Sequence, residues 1–332
     1  LAIPEKPEPH PSNPFATRAY VFTVVTPDMD ASIHFYRDVM GNKILEQGAL
    51  GGRAPTVPGA GVTGRRYTLL NHIEEGIVDR GVIRLLEAPP GAEANRPRPD
   101  THFYEPGLAV IECHCADFDA SHRHLTKNGV KTVSPPQYYF TGDPAAPVTS
   151  TTSYSAFGPA GEQMLISCQN VPNVFKQKRP VTFPGFFGPI TAHSMMCFSR
   201  WPVWAFYETV FGFTNQMDRA IEKEPINTLC GLPPKTYFLH SMPGKDMRME
   251  VWDFYQFGPP PAVPPHPTQL DKTGVAMVTM LVDNLAAVRK RVDMAGIPVL
   301  GEGALPTPGQ PYRDGFYIRG AVGELLEIVG RS

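Results

Sequence analysis

No apolar run among the 332 residues reaches the ~18 needed to cross a bilayer as a helix, which excludes a helical membrane-spanning chain. No stripe of Lys or Arg is present either. With 30 basic and 32 acidic residues the net charge is −2, which argues against nucleic acid as the main partner. Cysteine is scarce. Cys113, Cys115, Cys168, Cys197 and Cys230 form an odd set without a CxxC, so neither a disulfide framework nor a zinc ribbon is expected. Cys113 and Cys115, two apart in a strand, point to one face and read as core thiols or pocket lining. There is no G-x-S-x-G, no Walker loop and no H-E-x-x-H. The stretch GAGVTG at 59–64 matches G-x-G-x-x-G in letters alone. No strand precedes it and RRYTLL after it reads as strand, so it is a flexible loop rather than a phosphate cradle.

Apolar and proline content is ample. Apolar residues make up 42% of the chain and charged ones 19%, enough to bury a sizeable core. Proline numbers 37, about double the usual ~5% share. The length suggests roughly two domains. Residues 1–18 carry five prolines and read as an extended arm. The segments 169–187 and 256–270 read as linkers, the second too proline-dense for helix or strand. The chain begins at Leu1 rather than Met. A cytoplasmic protein is expected, with an exported chain that has lost a signal as the alternative.

The chain repeats itself. FYRDVMG at 35–41 and FYETVFG at 206–212 share F-Y-x-x-V-x-G at an offset of 171. Before each motif lies a strand (20–25 and 194–198), and a closing glycine is a natural helix stop. A second pair of units begins with strands 108–115 and 275–282. Each is followed by Asp117 or Asp283, a helix, a glycine and a short extended segment. Short strands separated by Gly/Pro turns follow every helix, among them 82–86, 163–166, 247–252 and 325–329. The sequence thus predicts four βαβββ units in two halves, an internal periodicity that outweighs any single motif.

Four such units resemble the vicinal oxygen chelate superfamily, which includes glyoxalase I, bleomycin resistance proteins and type I extradiol dioxygenases. The resemblance implies an α+β fold of open, cup-shaped mixed sheets. It further implies an N-terminal domain over 19–168 and a C-terminal domain over 188–332, each of two units. In that family a divalent metal sits in the cup, with ligands from the first and last strands of the units.

Carried onto this sequence, those positions in the N-terminal half fall on Tyr20 or Val21, Arg84, Val110 and Leu165. None is a usual ligand, and Arg84 places a cation where the metal would be, so this half is expected to be metal-free. In the C-terminal half they fall on His193, Glu250, Ala276 and Glu327. His193, Glu250 and Glu327 are therefore the candidate metal set, with Fe, Mn, Zn, Ni or Co as the ion. Leu325, Glu327 and Val329 share a strand face, so Glu327 is expected to point inward and to need a partner. For His193 the competing reading is a satisfied core or surface histidine, and for Glu250 and Glu327 ordinary strand carboxylates facing solvent.

His240 lies 47 residues after His193, and Tyr317 ten before Glu327. Extradiol dioxygenases hold an acid–base histidine and a tyrosine at similar spacings. The family's second metal histidine, however, falls on Ala276. The glyoxalase branch uses more carboxylate: a metal holds two substrate oxygens and a side chain such as Glu250 moves the proton. His240, Tyr317 and Glu250 are thus the candidate catalytic groups. The favoured expectation is a metal-dependent lyase or isomerase acting on a small oxygenated substrate, aromatic ones included. The rivals are an extradiol-type dioxygenase and a metal-free ligand-binding protein. Neither nucleic acid nor a membrane is an expected partner, and a homodimer is the candidate assembly. His122 and His124 point apart on a helix and are not expected to ligate.

Overall fold

The computed structural model describes residues 11, 13–51, 63–72, 81–95, 106–141, 149–169, 185–221, 228–229, 238–243, 249–253, 267–310 and 313–331. The loop at 59–64 lies mostly outside them, as do most of the arm and most of both proline-rich linkers.

The four units appear in order. Unit one holds β1 (Arg18–Thr26), α1 (Met29–His34, continuing as a π-helical turn Phe35–Val39), β2 (Lys43–Ala49), β3 (Arg66–Asn71) and β4 (Val82–Glu87). Unit two holds β5 (Gly107–Cys115), α2 (Phe118–Lys127), β6 (Gln137–Thr141), β7 (Thr149–Phe157) and β8 (Gln163–Gln169). Unit three holds β9 (Phe187–Cys197), α3 (Arg200–Phe211), β10 (Asn215–Ile221), β11 (Phe238–Pro243) and β12 (Met249–Asp253). Unit four holds β13 (Gly274–Val282), α4 (Leu285–Met294), β14 (Val299–Glu302), β15 (Gly315–Arg319) and β16 (Leu325–Gly330).

Local chemistry sets the helix ends. Asp28 and Asp117 cap α1 and α2 through the amides of Ala31 and Ala120, at 3.0 and 2.9 Å, as side-chain acceptors do for the unpaired first-turn donors. In unit four the cap is Asn284, not Asp283. Asp283 instead pairs with Arg331 at 2.7 Å. Gly212 ends α3 at φ 72°, in the left-handed region, where a side chain would be strained.

Two eight-stranded mixed sheets result. Sheet A runs β14-β15-β16-β13-β1-β4-β3-β2, and sheet B runs β10-β11-β12-β9-β5-β8-β7-β6. Within each unit the first and last strands are parallel neighbours. The units join through antiparallel first strands, β1 with β13 and β5 with β9. Unit one therefore shares its sheet with unit four, and unit two with unit three. This corrects the expected division into 19–168 and 188–332, in which consecutive units shared a cup. The repeat has the same apolar pattern in every unit, so it is equally compatible with either pairing.

One face of each sheet meets the helices. These faces merge into a single core containing Phe22, Ile83, Ile111, Met195, Tyr207 and Phe211. Consecutive units are tied across that core by two hydrogen bonds. Tyr36 of the first F-Y-x-x-V-x-G motif donates to Glu162 at 2.7 Å, and Tyr207 of the second donates to Glu324 at 2.7 Å. Each glutamate also accepts a backbone amide two residues back, from Ala160 and Val322, at 2.9 Å. Burial raises both carboxyls above their usual range, Glu162 to about 7.

Candidate functional site

The remaining face of each sheet is its concave side, and the strand register shows which residues line it. In sheet A, Thr23 stands opposite Arg84, and Thr279 opposite Glu327. In sheet B, Ser194 stands opposite Glu250, and Glu112 opposite Leu165. Thr23 and Ser194 are separated by the same 171 residues as the two F-Y-x-x-V-x-G motifs. The two cups thus present matching quartets at their centres.

The last-strand positions Arg84, Leu165, Glu250 and Glu327 are the ones expected from sequence. The first-strand positions are not. They are Thr23, Glu112, Ser194 and Thr279, rather than Tyr20 or Val21, Val110, His193 and Ala276. The β1–β13 and β5–β9 ladders carry register shifts at these strands. For His193 the error of one residue turns the side chain to the other face of the sheet; the other expected positions lie two or three residues along the strand from the lining residue.

Cup A is closed on itself. The Arg84 guanidinium meets Glu327 at 3.1 Å, and both side chains are fully buried. Arg84 also donates to Thr23 Oγ1 and to the Pro306 carbonyl, each at 3.1 Å. Glu327 accepts further bonds from Thr279, from the Leu305 amide at 2.6 Å and from Tyr317 at 2.7 Å. Around this network pack Leu50, Leu69, Leu270, Met277 and Leu305. The inward carboxylate does need a partner, and that partner is Arg84. Glu327 is thus already charge-paired, which does not suit the expected role of metal ligand. Tyr317 orients that carboxylate. Burial and the neighbouring Glu327 charge hold its hydroxyl well above the usual phenol range, so it is not a ready proton shuttle at neutral pH.

Cup B has a different lining. Glu112 and Glu250 are each 8% exposed. Ser194 and the Trp252 indole both donate to Glu250 Oε2, at 3.1 and 2.9 Å. Ser167 donates to Glu112 Oε1 at 3.0 Å and contacts the Ser153 hydroxyl at 2.9 Å. Ser155, opposite Leu165 on β7, is fully buried, and its hydroxyl has no hydrogen-bond partner among the described residues. With β9 between them, β5 and β12 are two strand spacings, roughly 10 Å, apart. The site is therefore two hydroxyl-supported carboxylates with a tryptophan beside one of them.

His193 does not belong to it. On β9 it alternates with Ser194, and its ring lies 5.9 Å from Phe22 in the shared core. Neither ring nitrogen has a hydrogen-bond partner among the described residues. Burial, only partly offset by the Glu250 charge, lowers its pKa to about 4. It is a core histidine, as the competing reading allows, but among the described residues it lacks the hydrogen bonds that reading supposes. Because the folded value lies below the usual ~6.5, protonation favours the unfolded chain. Stability from this residue is complete above about pH 6.5 and is lost as pH falls through 4. The effect is on the order of 3 kcal/mol. His193→Leu is expected to remove that acid-side loss, read as the difference in urea midpoint from the wild type across pH 4–7.

The expected set His193, Glu250 and Glu327 is thus divided among the common core, cup B and cup A. His240 and Tyr317 are divided too. His240 stands in β11 opposite Trp252, its side chain lying outside the described residues, while Tyr317 is in cup A. Their matching spacings therefore do not describe one site. Among the described residues no three His, Cys, Asp or Glu side chains come together to hold a metal. The cup B quartet of two carboxylates, a hydroxyl and a leucine does not fit a four-ligand cage. His122 and His124 do point apart. One packs edge-on against Tyr154 and the other stacks on Phe186. Of the three tryptophans, Trp252 reaches the cup, Trp204 is buried on α3 and Trp201 is exposed.

Sequence reasoning missed Glu112 as well as the Glu162 and Glu324 latches. The latches had a signal: G-P-A-G-E at 158–162 and G-A-V-G-E at 320–324 repeat at an offset of 162.

Paired βαβββ units with first and last strands parallel define the glyoxalase-type fold. Residues 19–146 match the family model of the Glyoxalase/Bleomycin resistance protein/Dioxygenase superfamily. The chain is similar to glyoxalase I from Zea mays at 16% identity, covering 95% of this chain and 92% of that one, with a TM-score of 0.59. It is similar to a putative dioxygenase from Bacillus subtilis at 12% identity, covering 94% and 84%, with a TM-score of 0.56. No curated protein matches the sequence. The family match thus covers residues 19–146, and the whole chain carries the glyoxalase-type fold. No helix among the described residues is long and apolar enough to cross a membrane.

Proposed function

We propose that the protein is a vicinal oxygen chelate enzyme of the lyase or isomerase type, with its reaction centre in cup B. The observation that carries this reading is the contrast between the two quartets. In cup A the central carboxylate is neutralised by Arg84 and enclosed by apolar side chains. In cup B the matching positions offer Glu112 and Glu250 beside serine hydroxyls. A substrate with adjacent oxygens would lie against the serines, with an unsaturated or aromatic portion on Trp252. Glu250, held by Ser194 and Trp252, would remove a proton next to a carbonyl, and Glu112 would exchange it on the other side. Since the quartet does not fit a metal cage, no step is routed through a metal.

The test is deuterium uptake next to the carbonyl of small α-hydroxycarbonyl compounds in D2O, followed by NMR with and without added divalent ions. Glu250→Gln and Glu112→Gln are each expected to slow exchange by about 10²–10⁴-fold at unchanged melting temperature. Full exchange in both variants would sink the assignment. Exchange that requires an added metal would restore the metal-dependent form expected from the sequence.

A second reading, a ligand-binding protein without turnover, is favoured by Leu165, which supplies no chemistry at the fourth quartet position. Saturable quenching of Trp252 fluorescence, lost in Trp252→Phe, without any deuterium uptake would select it.

A further inference from the structure

Cys115 ends β5, and Cys168 is the last residue but one of β8. The strands are parallel, with Cys113 opposite Ile166 and His114 opposite Ser167. One further step along the ladder sets Cys115 beside Cys168. The two thiols are thus neighbours on the ladder, and both side chains face the helix side of sheet B, in the shared core. The Cys168 S–H lies 3.6 Å from the Ala116 carbonyl, just before α2, which begins at Phe118. Each residue retains a few per cent of its surface, 4% for Cys115 and 6% for Cys168.

We propose that Cys115 and Cys168 are a redox-active thiol pair that closes to a disulfide across β5 and β8 on exposure to a small hydroperoxide.

The environments assign the roles. The Cys115 and Phe118 donors lower the Cys168 pKa, while Cys115, which shares its proton with Cys168 and is itself buried, is pushed up. Cys168 is therefore the better thiolate, as expected of a sulfur at a helix N-terminus. In the first step it attacks the hydroperoxide. The O–O bond breaks, an S–O bond forms and hydroxide or alkoxide leaves, giving a sulfenic acid. In the second step Cys115 attacks that sulfur. The S–S bond forms, the S–O bond breaks and water leaves with the Cys115 proton. Two thiols lose two electrons, and the hydroperoxide is reduced to water, or to an alcohol and water. Cys113 shares their face but is buried, and its thiol is pushed up by that burial, so it is not the attacking group.

Strand neighbours stand about 4.8 Å apart, inside the roughly 4.4–6.8 Å range of Cα separations that disulfides span, so the bridge needs no separation or approach of β5 and β8. Ser167, which supports Glu112, is the neighbour of Cys168 in the chain. Closure thus fixes the strand end beside the acidic cup, a consequence that rests on the reading of cup B as the reaction centre.

The test treats the full chain with hydrogen peroxide, alkylates it under denaturing conditions and maps the peptides by mass spectrometry. The expected result is protection of two of the five cysteines, a cross-linked peptide containing Cys115 and Cys168, and full recovery with dithiothreitol. In Cys115→Ser a dimedone-trapped sulfenic acid accumulates on Cys168, whereas Cys197→Ser forms the bridge as the wild type does. Five alkylated cysteines, a different pair, or sulfinic acid on Cys168 beside an unmodified Cys115 would each overturn the proposal. The native peptide map decides even if Cys115→Ser does not fold. Because this readout is covalent, it stands apart from deuterium uptake. A bridge that forms without any exchange activity retains the thiol pair and rejects the catalytic reading.

Discussion

Arg84→Met is expected to lower the stability of the protein by about 3–5 kcal/mol, because it leaves a buried carboxylate without its cation. Glu327 would keep its bonds from Thr279, Leu305 and Tyr317, but hydrogen bonds do not replace the lost charge. Glu327→Leu strands the guanidinium in the same way. The double variant Arg84→Met/Glu327→Leu should recover most of the loss, since an apolar pair of similar volume is often as stable as a buried ion pair. Urea denaturation of the four proteins forms a double-mutant cycle that measures the coupling. If the single variants lose less than about 1 kcal/mol, the range of an exposed pair, the pair is not the support of cup A. Activity assigned to cup B should survive in the double variant.

Gly158→Ala and Gly320→Ala are expected to open the two latches, at about 2–4 kcal/mol each. A Cβ at Gly158 would overlap a Glu162 carboxyl oxygen, and one at Gly320 would overlap a Glu324 carboxyl oxygen. The carboxyl must swing away, and the buried hydroxyl of Tyr36 or Tyr207 loses its acceptor. The latch also responds to pH. The folded Glu162 titrates at about 7, above an ordinary glutamate near 4.3. The folded state therefore holds a proton that the unfolded chain has released. The contribution is complete below the ordinary value and is lost as pH rises through 7, opposite in sign to that of His193. Glu162→Gln should flatten this decline. Urea midpoints between pH 4 and 8 that fall just as steeply in Glu162→Gln as in the wild type would reject the assignment.

Much of the fold is legible in the sequence because each unit repeats local signals. Asp28 and Asp117 cap helices, Gly212 ends one, and the nearly continuous apolar runs at 82–86 and 325–329 mark strands buried on both faces. The partner of each unit is not legible, since identical patterns fit either pairing. The site is half legible for a related reason. At the last strands, Arg84, Glu250 and Glu327 each interrupt an apolar run, which picks out their positions. The first strands are apolar almost throughout and contain bulges, so parity cannot be counted reliably along them. That is why His193 stood where Ser194 belongs; Glu112 was missed by two residues along the same face as Val110. The Arg84–Glu327 pair could not be seen because it joins residues 243 positions apart, across units that appeared to belong to different domains.

The pairing of unit one with unit four and of unit two with unit three also orders assembly in time. Sheet B is built from one continuous stretch, and its central contact joins β5 to β9 through the linker at 169–187. Sheet A is nested outside it, and its central contact sets Arg18 against Leu281. Closing that much longer loop carries the greater entropic penalty. On a ribosome the acidic cup can take shape while unit four is still being made. Until then β1 waits with an open edge, and only when β13 emerges can the arginine of the first unit meet its carboxylate.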